Sequence, residues 1–212
     1  MKLLRLKITD PAGFRSLPCG FEHHFRTEWS LQDELAQPDG FAPFVCAGPN
    51  GSGKSNLLEA LAAIFYQLEI LRVRRSFLPE VLQNAGQDFS PVAFELEYLI
   101  RAPAEFRGPD SPEWAKVGVW KNPGESVRFH WENQSDFDTN VYEVFKGGHA
   151  DILLPQYVLG YSSGENEILS LPFFKLRFVQ FDEYWTALAK QLPYPGRPDA
   201  RLAYLDSGFS QA

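Results

Sequence analysis

The sequence predicts an α/β fold organised around a phosphate-binding loop, and three observations carry that prediction. Residues Gly48 to Ser55 read GPNGSGKS and fit G-x-x-x-x-G-K-[ST]. An apolar run, Phe44-Val45-Cys46-Ala47, precedes the loop and an amphipathic stretch follows it, the strand–loop–helix setting the motif needs. The middle of the chain alternates apolar and polar residues at the period of half-buried strands. A chance match to the motif in a chain this size is roughly a one-in-a-hundred event at average residue usage. The loop therefore reads as a nucleoside triphosphate site.

Taken in order, Leu4, Leu6 and Ile8 alternate with Arg5 and Lys7, so the chain opens on a half-buried strand. Asp10-Pro11-Ala12-Gly13 turns it, and Phe21 to Arg26 returns as a second strand. Ser30 to Gly40 reads as a polar surface insertion, and a strand from Phe41 to Ala47 delivers the loop. From Lys54 onward, Leu57, Leu61, Ile64, Leu68 and Leu71 recur at steps of four and three. That spacing places them on one helical face and Glu59, Gln67 and Glu69 elsewhere. Arg72, Arg74 and Arg75 close this helix, where cations complement its dipole or contact phosphate or DNA.

The middle is β. Val92, Phe94, Leu96, Tyr98 and Ile100 alternate with Glu95 and Glu97. Val117 to Lys121 and Ser126 to Glu132 flank Asn122-Pro123-Gly124, and Pro followed by Gly is what a type II turn requires, so a hairpin is expected. Val141 to Lys146 and Asp151 to Leu154 form a second candidate hairpin across Gly147-Gly148. Trp114, Trp120 and Trp131 are read as packing residues. Beyond Tyr161-Ser162-Ser163-Gly164 the pattern is helical, with Phe174, Phe178, Phe181, Trp185 and Leu188 on one face. Pro172 is expected to kink that helix or start a new one. Pro193 to Pro198 breaks it, and Arg201 to Leu205 is a short strand.

Composition narrows the classes of function. With 44% hydrophobic and 22% charged residues the chain is an ordinary globular sequence, and its net charge of −7 supplies no global basic field for nucleic acid. A DNA role needs a local patch or a partner. Cys19 and Cys46 make no metal or redox spacing, and Cys46 is expected in the buried strand before the loop. Met1 to Asp10 alternates where a secretory signal would be an apolar block, and no stretch approaches a span of about 18 apolar residues. A cytoplasmic location without membrane contact is expected.

The chemistry of the loop follows from its residue types. Gly48, Gly51 and Gly53 permit backbone conformations and close approach that a Cβ would hinder. The amides of Asn50, Gly51, Ser52, Gly53, Lys54 and Ser55 then converge at a helix N-terminus whose dipole favours anions. Asn56 follows immediately. Lys54 is expected to reach the β- and γ-phosphates of ATP, and the Ser55 hydroxyl to ligate Mg²⁺, which keeps several waters and takes few protein ligands.

The segment FAPFVCAGPNGSGKSNLLEALAAIF resembles the start of ABC-type ATPases of the SMC, RecF and SbcC-like families. Leu4 to Ile8 followed by Gly13-Phe14-Arg15-Ser16 is similar to their opening strand and F-[RK]-S turn. This resemblance implies Arg15 beside the nucleotide phosphates, a role that suits an always-charged planar guanidinium. Tyr161-Ser162-Ser163-Gly164-Glu165-Asn166-Glu167 resembles the superfamily's signature motif, although Ser-Ser-Gly before a helix is also ordinary capping. As a signature, Ser162, Ser163, Gly164 and Glu165 would face the γ-phosphate held by an opposite subunit, making a homodimer with ATP sandwiched between copies. The whole chain also resembles the N-terminal part of restriction-system-associated AAA-family ATPases of phage defence. The implied fold is a P-loop NTPase of ABC/SMC type, incomplete, with an antiparallel β subdomain and a helical signature segment. The ATP-binding lobe with its β subdomain would span 1–160, and the signature segment with the start of a further strand 161–212.

The chain departs from that pattern in its hydrolytic residues. Leu202-Ala203-Tyr204-Leu205-Asp206 is the candidate for the apolar strand and Mg²⁺-shell Asp, but Ser207 stands where a catalytic Glu is expected. An ordinary strand and turn is the alternative reading of those residues. No switch His follows, His149 is read as a surface residue, and Gln83 and Gln87 are candidates for an Mg²⁺-loop glutamine. The expected function is an ATP-binding domain of a longer ABC-type ATPase, working on DNA in defence or repair with a possible nuclease partner. The alternative is a truncated, non-hydrolysing nucleotide-binding or interaction module. A P-loop small-molecule kinase fits less well, because such enzymes usually lack the Asn after the loop and the Ser-Ser-Gly-Glu patch.

Overall fold

The alternation of Leu4, Leu6 and Ile8 builds β1 (Lys2–Ile8), which pairs antiparallel with β2 (Glu22–His24) on one side and β3 (Phe94–Arg101) on the other. β3 pairs with β4 (Trp114–Lys121), and β4 with β5 (Arg128–Trp131), giving a five-stranded antiparallel sheet in the order β2-β1-β3-β4-β5. The computed structural model describes residues 1–36, 43–77, 91–137, 150–162, 167–191 and 201–205. It is a mixed α/β chain of two units, Met1–Lys54 with Val92–Leu154, and Ser55–Pro91 with Pro155–Ala212.

In the first unit the pleat sorts the side chains. Leu6, Ile8, Phe94, Leu96, Tyr98, Val117 and Val119 are buried on one face, and the Tyr98 hydroxyl donates to the Leu153 carbonyl at 2.7 Å. Burial of Tyr98 pushes its phenol pKa up. The opposite face carries Arg5, bonded to Glu95 at 2.7 Å and to Glu97 at 2.8 Å. Part-buried pairs near a surface contribute about 1 kcal/mol each, so burial of the apolar face is the larger contribution to the sheet. The expected hairpin is present, with the Glu125 amide donating to the Asn122 carbonyl at 3.1 Å and Gly124 at φ +75°. Trp131 is buried as expected of a packing residue, and Trp114 and Trp120 are half-buried.

The segment read as a polar surface insertion is helical over its described part, which belongs to α1 (Glu28–Ala36), a helix with no buried residue. Its start was marked by Thr27 and Ser30, whose backbone amides each donate to the other's hydroxyl at 3.2 and 3.0 Å. This is a reciprocal capping arrangement with Ser in the position often held by Glu. Glu34 then fixes the helix to the sheet, accepting from Lys2 at 3.0 Å and from Arg26 at 2.8 Å, while Arg26 also donates to the Leu3 carbonyl. Asp151–Leu154, expected as a strand, contributes instead to a short 3₁₀ turn over Ala150–Leu153; Val141 to Lys146 lies outside the described residues.

In the second unit α2 (Lys54–Phe77) runs on from the phosphate loop, with Arg72, Arg74 and Arg75 in its last turns. Glu59, Gln67 and Glu69, expected off the buried face, are themselves buried. For Glu69 the reason is on hand: its carboxylate accepts the Arg201 amide at 3.2 Å. β6 (Val158–Tyr161) and β7 (Leu202–Leu205) form a two-stranded parallel sheet, joined through α3 (Glu167–Ala189). Pro172 lies inside α3, so no new helix starts there. One sheet face packs on α3 so closely that a Cβ on Gly160 would meet the Phe173 ring at 2.7 Å. The other leaves Leu159 and Tyr161 61% exposed. The break over 193–198 lies outside the described residues.

The Glu34 contacts predict an acid-sensitive fold. Burial pushes its carboxyl pKa up, but hydrogen bonds from Arg26 and Lys2 outweigh this and hold it below the ordinary 4.5. A carboxyl lowered on folding stabilises above its unfolded value, and that contribution disappears as the pH falls through the lowered one. Chemical unfolding measured from pH 7 to pH 3 should show stability declining below about 4.5. Glu34→Gln should reduce that slope and lower stability at pH 7 by about 1–2 kcal/mol, since a neutral amide accepts more weakly from Lys2 and Arg26.

Candidate functional site

The phosphate loop is built from the residues the motif named. Asn50 and Gly51 form a turn, the Ser52 amide donates to the Pro49 carbonyl at 3.3 Å, and α2 begins at Lys54. Gly51 and Gly53 sit at φ +83° and +87°, in the left-handed region that a side chain disfavours. The Lys54 ammonium folds back over the loop and donates to the carbonyls of Gly48 at 2.8 Å and Pro49 at 2.7 Å, with Ser52 Oγ at 3.4 Å. Ser55 and Asn56 occupy the first turn of α2, with Ser55 exposed.

The approach to the loop differs from expectation. Residues 43–47 form no strand, and Phe44 and Val45 are 42% and 76% exposed. Cys46, expected to be buried, is half-buried. An apolar strand of this kind becomes regular when neighbours pair with both of its edges. Among the described residues no strand pairs with 43–47. Its attachment is aromatic instead: the Phe44 ring lies 5.2 Å from Phe25 and 5.5 Å from His23, which is 4.9 Å from Phe25. Burial, helped by the charge of His24, lowers the His23 pKa and favours the neutral ring in this cluster.

The turn predicted to carry Arg15 is seated against the same loop. Phe14 and Leu17 exchange amide–carbonyl bonds of 2.9 Å each, leaving Arg15 and Ser16 as the exposed tip of a two-residue turn. Leu17 is 3% exposed, and a Cβ on Gly53 would lie 3.4 Å from its Cδ2 and 3.9 Å from Ser16 Oγ. The structure thus brings Phe14–Leu17 and the loop beginning at Gly48 together across thirty intervening residues. Arg15 itself has φ +56°, and its guanidinium lies 6.0 Å from the Phe14 ring centroid. At the first central position of a two-residue turn, positive φ is the place of glycine, and an L side chain there costs about 1–2 kcal/mol. Sequence reading missed Ser16 and Leu17 as partners of the loop; no local pattern connects them to Gly53.

These residues fit a phosphate group. Two left-handed glycines shape the backbone, a helix begins at the end of the loop, and one ammonium already engages the loop's polar atoms. Ser55 offers a hydroxyl for Mg²⁺, whose remaining positions phosphate oxygens and water can fill. Among the described residues no group of three or more His, Cys, Asp or Glu side chains could hold a metal.

Of the signature residues only Ser162 is described; Ser163, Gly164 and Glu165 lie outside the described residues, as do Gln83, Gln87, His149, Asp206 and Ser207. The Ser162 amide donates to the Leu205 carbonyl at 3.2 Å, so the residue following β6 and the end of β7 meet at the carboxyl edge of the parallel sheet.

The strain at Arg15 gives a prediction free of any ligand. Arg15→Gly should raise the free energy of unfolding by about 0.5–1 kcal/mol, relief of positive-φ strain exceeding glycine's added unfolded-state entropy. A urea titration that finds the variant less stable than the parent would show that the Arg15 side chain contributes more than its backbone strain costs. No family model, curated protein or solved structure matches this chain.

Proposed function

We propose that the chain is an Mg-ATP-binding domain of an ABC-type, SMC/RecF/SbcC-like P-loop ATPase. The observation that carries this reading is the seating of the Arg15-Ser16 turn on the glycine of a G-x-x-x-x-G-K-S loop at the start of a helix. A triphosphate bears about four negative charges, and loop amides, the α2 dipole, Lys54 and Arg15 would answer them from one side. Lys54 would exchange its two loop carbonyls for β- and γ-phosphate oxygens. Ser55 would hold Mg²⁺, which when bound neutralises charge on the phosphates.

The meeting of Ser162 with the end of β7 supports the second half of the proposal, since ligands of parallel sheets bind at the carboxyl ends of the strands. Ser162, Ser163, Gly164 and Glu165 would there close over ATP held by a second copy, so that binding drives dimerisation. DNA as the substrate, a nuclease partner and a role in restriction, phage defence or repair rest on the sequence resemblance, and a cytoplasmic location on the alternating opening and the lack of a long apolar stretch in the sequence. No described helix is long and apolar enough to cross a membrane. With Ser207 where the family places a catalytic Glu, this chain binds ATP in the proposed scheme and hydrolysis belongs to the longer ATPase.

Two measurements test it. Calorimetric titration with Mg-ATP should give saturable binding that Lys54→Ala abolishes, and unchanged affinity in the variant would refute the loop assignment. Light scattering should show the mass doubling with saturating Mg-ATP, and a strict monomer under those conditions would remove the sandwich.

A further inference from the structure

We infer that Asp10 is a positioning residue for this nucleotide site, acting through Arg15 and Ser16; the inference rests on the Mg-ATP reading above. Asp10 lies two residues beyond the end of β1 and is 6% exposed. Its Oδ1 accepts the Ala12 amide at 2.9 Å, its Oδ2 accepts the Val92 amide at 2.9 Å, and its backbone carbonyl accepts the Gly13 amide at 2.9 Å. One carboxylate thus joins the turn that leads to Arg15 to the residue just ahead of β3. The neck of the same loop is closed by Gly20 donating to the Ile8 carbonyl at 2.8 Å and Ile8 donating to that of Phe21 at 2.9 Å. Thr9 completes it by donating to the Ala93 carbonyl at 3.3 Å.

Burying a carboxylate is expensive unless its oxygens are satisfied; the bond to Ala12 is ordinary turn closure, whereas the bond to Val92 reaches beyond the turn. Here the group has a specific consequence. The left-handed backbone at Arg15 persists only where its surroundings over-determine it. On the far side of the tip the constraint is Leu17, buried beside Gly53; on the near side it is Asp10. Lys121, 3% exposed on β4, faces the same charge: burial lowers its pKa and Asp10 opposes that shift. With Asp10 in place, the guanidinium and the Ser16 hydroxyl are presented to the phosphate loop in one orientation. Without its second acceptor the near side of the turn loses its side-chain tie to Val92, and only Leu17 and the neck bonds hold it.

A double-mutant cycle on Mg-ATP affinity separates positioning from general stability. Asp10→Asn turns an amide donor toward Val92 and should weaken binding about tenfold in the parent chain. In an Arg15→Ala background it should weaken binding less than about twofold, because the residue it positions is gone. Asp10→Ser, whose hydroxyl still accepts the Ala12 amide, carries the same test if the Asn variant fails to fold, with melting temperatures recorded for each protein. Losses that multiply across the two sites, or a folded Asp10 variant with parental affinity, would overturn the positioning role and leave the Mg-ATP reading standing. A parent chain that binds no Mg-ATP would overturn both.

Discussion

The first unit depends on the pairing of β1 with β3, two strands separated by some ninety residues of sequence. Leu6 stands opposite Leu96, Lys7 opposite Glu95 and Ile8 opposite Phe94. A shift of one residue would turn Leu6 and Ile8 to solvent and bury Arg5 and Lys7, so the apolar face allows one register. That register brings the end of β1 beside Ala93 and Val92, and with it Asp10 and the loop that follows. The position of the Phe14–Leu17 turn descends from this placement. The phosphate loop lies within the long connection that the pairing closes, and the Phe14–Leu17 turn hangs from the strand end the pairing fixes.

Two kinds of force then position the loop, and they differ in character. Apolar contacts bring the pieces together: Leu17 under Gly53, and Phe44 against Phe25 and His23. Hydrogen bonds to backbone set orientation: Asp10 on Ala12 and Val92, Phe14 on Leu17, Lys54 on the loop carbonyls. The strain at Arg15 is a local conflict that these contacts hold in place, and such conflicts concentrate where a protein meets a ligand. The same backbone would be more comfortable with glycine, which has no charge to offer a phosphate.

Much of the fold was legible because strand alternation and helix periodicity are local. The alternating residues of β1, β3 and β4, the Pro123-Gly124 turn and the leucine spacing of α2 each stand where the pattern put them. The failures share a cause in partners that periodicity does not name. Residues 43–47 have the composition of a buried strand, yet composition does not supply strands to pair with. Glu69 lies off the leucine face but is buried by a bond to Arg201, 132 residues away. Helix α1 was missed although its Thr27 and Ser30 caps were in view, because neither an acidic residue at the third position nor an apolar face announced it. In the candidate site the glycine–lysine–serine loop was plain from its motif, and the Arg15 turn was reached by resemblance. The contact between that turn and Gly53 depends on tertiary placement alone.

The central claim is that the Arg15-Ser16 turn and the phosphate loop form one phosphate site. Amide NMR of the isotopically labelled chain during a titration with Mg-ATP tests it most directly. The account predicts that the amides of Gly51 to Ser55 and those of Arg15 and Ser16 shift together along one binding curve. Shifts confined to Gly51–Ser55 while Arg15 and Ser16 stay in place, or no shift in either segment at saturating nucleotide, would contradict it.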